Sequence, residues 1–168
     1  LVKHVGFSFH DKAEVLDKIL TRHPEMEYVQ LQLNYADWED SEVQSRKCYE
    51  VCVKYGKRVL VMEPIKGGML ANVPAEAEAL LKGARPEMSV ASWAIRFAAS
   101  QENVFMVLSG MSDEQQVEDN LSYMKDFAPL SDEEKDLVAK SAAIIKSKEK
   151  VPCTGCRYCT DGCPMKIA

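Results

Sequence analysis

Four short apolar runs, each followed by a segment with helical spacing, limit what this chain can fold into more than any other feature. Val2 to Phe9 reads as a buried strand. Asp11 can then cap a helix in which Ala13, Val15, Leu16, Ile19 and Leu20 share one face, and Pro24 closes that region. Tyr28 to Asn34 is a second strand. Ser41 to Tyr55 is a second helix, with Val43, Cys48, Val51, Cys52 and Tyr55 near one side and Gly56 just beyond it. Arg58 to Glu63 is a third strand, and the loop PIKGGMLANVP follows it. Ser89 to Ser100 is a third helix, with Val90, Trp93, Ala94 and Phe97 on its stripe, and it leads to a fourth strand, Val104 to Leu108. Ser112 and Gln115 are placed to cap a helix running to about Lys125. Ser131 and Glu134 are placed likewise for one from about Asp132 to Lys148.

Apolar strands joined by helices call for a parallel sheet with right-handed crossovers. The expected fold is therefore α/β: half of an eight-unit barrel, or a small open sheet. A whole barrel needs roughly 250 residues, more than the 168 here, and both ends of the chain look cut. In either fold a half-barrel sheet leaves edges at Val2–Phe9 and Val104–Leu108. Open edges pair with other chains, so self-association is expected.

Charge narrows the partners. A formal net charge of −5 implies no basic face for nucleic acid. The longest apolar stretch, VASWAIRFAAS, is broken by Arg96 and is too short to cross a bilayer. LVKHVGFSFH does not have the form of a signal peptide, so a cytoplasmic location is expected, where cysteines serve as ligands or redox groups more often than in disulfides.

Chemistry in α/β folds sits at the carboxyl ends of strands. Those ends offer Ser8, Phe9 and His10; then Gln30, Gln32 and Asn34; then Glu63, Pro64, Gly67 and Gly68; then Ser109, Gly110, Met111 and Ser112 at a helix start. The last two loops have the makings of an anion cradle, because paired glycines let backbone approach a phosphate and a helix start supplies N–H groups. Gly67-Gly68 can equally just turn the chain. Gln30 and Gln32 point to one side of their strand and need partners, either a neighbouring side chain or a ligand.

GFSFHD, VQLQLNYAD, VMEPIKGGML and SGMSDEQQVEDNL, in that order, resemble successive strand ends of the aldo/keto reductase family. The likeness is to the branch that carries a C-terminal ferredoxin-like segment. It covers Val2 to about Leu121 and resumes at the cysteines. It implies strands five to eight of a (β/α)8 TIM-type barrel over residues 1–148, with an iron–sulfur segment beginning in 149–168. It also implies an oxidoreductase using NADP(H) or NAD(H) on a small carbonyl or alcohol substrate.

By that resemblance Ser8 and Gln30 hold the nicotinamide carboxamide. Pro64, Ile65, Gly67 and Gly68 run beside the pyrophosphate. Ser109, Gly110, Met111 and Ser112, with Gln116, Asp119 and Asn120, grip the adenosine phosphate and adenine. Three positions depart from the pattern: Phe9 replaces the usual Asn, Met62 stands where an aromatic ring often stacks, and Ser112 stands where a base often meets a 2′-phosphate. The family's Asp, Tyr, Lys and His catalytic group comes from the first four strands and has no counterpart here. These residues alone are therefore expected to be inactive. His4, His10 and His23 are expected to be structural or solvated rather than substitutes.

Cys153, Cys156, Cys159 and Cys163 follow C-x2-C-x2-C-x3-C-P, the spacing of bacterial ferredoxins that bind 4Fe-4S clusters. Tightly spaced soft thiolates suit iron–sulfur centres. Zinc sites more often use two separated pairs, and disulfides need an oxidising compartment. In two-cluster ferredoxins the fourth cysteine serves the other cluster, so Cys163 would reach toward a second run further along. An electron-transfer partner is then expected. The alternatives are a non-enzymatic iron–sulfur carrier or scaffold, or a binding module, on a degenerate barrel. Cys48 and Cys52, four apart on one helix, are expected in the core.

Overall fold

The computed structural model of the chain describes residues 2–148 and 158–165. Four parallel strands form one sheet in the order β1 (Gly6–Phe9), β2 (Tyr28–Gln32), β3 (Arg58–Met62) and β4 (Val104–Val107). Helices α1 (Ala13–Arg22) and α2 (Ser45–Lys54) form the first two crossovers. The third holds a 3-10 turn (Met69–Ala71), α3 (Ala75–Ala84) and α4 (Val90–Ala99). α5 (Glu114–Met124), α6 (Asp132–Lys148) and α7 (Tyr158–Asp161) follow β4.

Period-two alternation sets the two faces of the sheet. Val29 and Leu31 of β2 and Val59 and Val61 of β3 are buried in one core with Leu16 and Leu20 of α1, Cys48 and Cys52 of α2, and Trp93 and Ala94 of α4. The opposite face carries Ser8, Gln30, Leu60, Met62 and Met106, all partly or largely exposed. Among the described residues β1 and β4 are the sheet's edges.

Several boundaries differ from the sequence reading. β1 begins at Gly6 rather than Val2, and Val2 and Val5 are exposed. A side chain at Gly6 would meet the Tyr28 carbonyl oxygen at 2.5 Å, so this close strand approach requires glycine. α2 begins at Ser45 rather than Ser41. Asp40 Oδ1 accepts from the Glu42 and Val43 N–H groups, and Gln44 turns left-handed at φ 55°. The α1 cap position is Lys12, with Asp11 Oδ1 accepting its N–H, and that of α5 is Asp113 rather than Ser112. α3 carries no helical stripe in the sequence, because only Ala77 and Leu81 of it are buried. The Ser131–Glu134 capping box is present, with the Glu134 N–H donating to Ser131 Oγ at 3.2 Å and the Ser131 N–H to Glu134 Oε2 at 3.0 Å.

Candidate functional site

The loops after β3 and β4 face each other across a cleft of about 330 Å³. One wall is Glu63, Pro64, Ile65, Gly67 and Gly68. The other is Leu108 to Met111 together with Gln116, Asp119 and Asn120 of α5, and Ala91 of α4 closes the back. Ten residues that the resemblance assigns to the cofactor, from two separate stretches of sequence, thus share one cavity. Ser112 is beside it, with its N–H donating to Gln116 Oε1 at 2.8 Å.

The first wall is built on unusual backbone. Glu63, Lys66, Gly67 and Gly68 have φ of 54°, 48°, 61° and 92°. Non-glycine residues rarely hold such angles unless their surroundings enforce them. Here the enforcement is polar. Lys66 Nζ lies 2.6 Å from Asp37 Oδ1, with their side chains 15% and 2% exposed. Asp37 Oδ2 accepts from Gln32 Nε2 and Asn34 Nδ2, each at 2.8 Å, and Asn34 Nδ2 also reaches the Glu63 carbonyl at 3.1 Å. Gln32 has therefore found a side-chain partner. Glu63 Oε2 accepts from the Gly67 N–H at 2.7 Å.

The second wall uses short local bonds. Asp113 Oδ1 accepts from the Gln116 N–H at 2.9 Å, and Asn120 Nδ2 donates to Ser109 Oγ at 3.0 Å. Tyr123 donates its hydroxyl to Asn120 Oδ1, and burial together with the Asp119 charge pushes the Tyr123 phenol well above its ordinary value. Asp119 Oδ2 accepts from Ser89 Oγ at 2.6 Å, and Ser89 in turn caps α4.

Ser8 and Gln30 lie outside the cleft, on the open face of the sheet. Both donate to Met62 Sδ, at 3.8 and 3.4 Å, and Ser8 Oγ is 2.9 Å from His10 Nε2. Met62 adjoins Glu63, so this cluster and the cleft are consecutive stations along β3. His4 pairs with Glu27 at 2.7 Å and His23 with Glu25 at 3.0 Å, both on the surface.

Cys48 and Cys52 are core residues, and burial pushes their thiols up to about 11 and about 12. Cys153 and Cys156 lie outside the described residues, as does the Cys159 side chain; Cys163 is partly exposed, with its N–H donating to the Thr160 carbonyl at 3.1 Å. Among the described residues no group of three or more His, Cys, Asp or Glu is placed to hold a metal. No helix among them is long and apolar enough to cross a membrane.

Sequence reasoning missed the Asp37–Lys66 pair, because its members are 29 residues apart. It also missed a second hollow of about 620 Å³ lined by Tyr35, Trp38, Phe97, Val138 and Ala142. Burial pushes the Tyr35 phenol there up to about 12.

A parallel α/β sheet whose carboxyl-end loops converge on a cleft is an architecture that barrels and open α/β sheets share. Residues 1–143 match the aldo/keto reductase family, and the chain belongs to that family. Its fold is similar to that of aldo-keto reductase AKR11C1 from Bacillus halodurans, at 20% identity and a TM-score of 0.64, over 83% of this chain and 50% of that one. The thermostable aldo-keto reductase Tm1743, solved with the inhibitor epalrestat, shows 17% identity and a TM-score of 0.65 over 84% and 49%. An aldo-keto reductase from Klebsiella pneumoniae, solved with NADPH, shows 16% identity and a TM-score of 0.60 over 82% and 47%. The chain spans about half the length of these solved structures. No curated protein matches it.

Proposed function

We propose that this chain forms the cofactor-binding part, strands five to eight, of a nicotinamide-dependent aldo/keto reductase acting on a small carbonyl or alcohol. The supporting observation is that two loops, picked out separately, line one cleft. Its volume suits the phosphate and adenosine portion of NADP(H) or NAD(H) rather than the whole molecule. The lining offers what sugars and phosphates bind: the glycine turn, the Ser109 hydroxyl, and the Gln116 and Asn120 amides. Ser8 and Gln30, with Met62 behind them, would take the nicotinamide carboxamide at the adjoining station. When bound, the cofactor supplies hydride. This chain's own residues seat and orient it, and the family's acid–base group lies on strands not matched here, so residues 1–168 alone do not turn over substrate.

The C-terminal cysteine run would bind one 4Fe-4S cluster through Cys153, Cys156 and Cys159, with Cys163 reaching toward a second, and would call for an electron-transfer partner. The support is the ligand spacing alone, and no step is assigned to it. Where β1 and β4 are left uncovered, self-association through those edges follows. Unpaired Cys48 and Cys52 suit a reducing compartment such as the cytoplasm.

Fluorescence titration of the full chain with NADPH and NADH tests the cofactor reading. Gly68→Val, which places a branched side chain at φ 92°, should weaken binding at least about tenfold through loop strain. No binding of either dinucleotide at millimolar concentration, or equal binding by the variant, would sink it.

A further inference from the structure

The loop after β3 turns its base inward and its acid outward. Lys66 is neutralised inside by Asp37 at 2.6 Å. Glu63 stands in the cleft wall, exposed, with Oε2 on the Gly67 N–H at 2.7 Å. The neighbouring N–H groups are held by backbone: Lys66 donates to the Glu63 carbonyl, Gly68 to the Ile65 carbonyl and Met69 to the Lys66 carbonyl. Among the described N–H groups from Lys66 to Ala71, Gly67's is the one held by a side chain. Within that stretch it is therefore the donor an incoming anion can take without opening a turn. The other acid in the lining, Asp119, is bonded to Ser89, and the lining contains no lysine or arginine to offset either carboxylate.

We propose that Glu63 is an internal anion that fills the phosphate seat of the cleft and is displaced when a nicotinamide dinucleotide binds. This rests on the reading of the cleft as a cofactor site. Displacement is sterically simple, because the Glu63 side chain is exposed and can swing into water while Gly67 turns its N–H to the phosphate. What opposes binding is the carboxylate itself, which competes for the donor and repels the incoming charge. Glu63 thus sets how tightly the cleft holds anionic ligands, without touching the reacting atoms.

A simple brace for the loop would act in the opposite direction, and that difference is the test. Glu63→Gln keeps an acceptor for Gly67 and removes the charge; Glu63→Ala removes both. Calorimetric titrations of the full chain with NADH, NADPH and inorganic pyrophosphate should show both variants binding about tenfold tighter. Adenosine, which carries no phosphate, should bind the variants and the parent alike. Thermal melting of each variant reports whether the loop has failed. If the parent binds dinucleotide and both variants bind it equally or more weakly, Glu63 is a brace and the proposal is overturned while the cofactor site stands. An equal gain for adenosine would overturn it too. If neither parent nor variants bind any phosphate-bearing probe, the cofactor reading falls and takes this one with it.

Discussion

Among the described residues two largely buried ion pairs stand out, and they differ in kind. Arg96 of α4 meets Glu134 of α6 through two parallel bonds of 3.2 and 3.1 Å, in the helical layer. Glu134 also takes a bond from Arg85 at 3.1 Å and caps its own helix through the Ser131 N–H. Lys66 meets Asp37 as a single point contact beside the cleft, and the remaining Asp37 oxygen is filled by two amides from the β2 end. The planar guanidinium locks two regular elements in one orientation, as its fork favours. The ammonium instead holds a loop whose backbone would otherwise leave the left-handed region. The first pair serves the fold; the second serves the shape of the cleft.

The largest effect should come from Asp37→Ala. It strands a mostly buried Lys66 and two amides, and should cost about 3–5 kcal/mol in urea unfolding. Dinucleotide affinity should fall with it, because the cleft wall relaxes. A loss of stability with unchanged affinity would break the distinction between the pairs.

Glu134→Gln should cost less, about 1–3 kcal/mol, since the shape is kept and only the charge-assisted bonds weaken. Affinity should not change. Burial alone would raise the Glu134 carboxyl, but the bonds from Arg96 and Ser131 and the Arg96 and Arg85 charges outweigh it and hold it below 4.5. A lowered folded value means that this stabilisation is present above about pH 4.5 and is lost as pH falls through the folded value. Melting curves across that range should show the acid-side loss in the parent, and less of it in Glu134→Gln.

Asp113→Ala removes the α5 cap and should cost about 1 kcal/mol. The wall it touches depends on neither ion pair, so double variants with Asp37→Ala should be additive. Marked coupling would show that the two walls are one unit.

Local rules were legible in the sequence. The four strands follow from short apolar runs, and the Ser131–Glu134 box from a three-residue spacing. The cleft was legible as two halves, because each loop carries its own glycine or helix-start signal. What joins distant positions was not. Arg96 lies 38 residues from Glu134 and Lys66 lies 29 from Asp37, and neither spacing carries a pattern. The contact from Glu63 to the Gly67 N–H was hidden for a related reason: it forms where Glu63 holds a left-handed φ of 54°, which no sequence pattern announces.

The two thiols of α2 have a practical consequence. Cys48 and Cys52 are 3% and 0% exposed, and burial holds them protonated far above neutral pH. Alkylating reagents act on thiolates, so they reach these sulfurs only when α2 lifts from the sheet. The rate of labelling at Cys52 is therefore a clock, built into the chain, for how often its central layer opens.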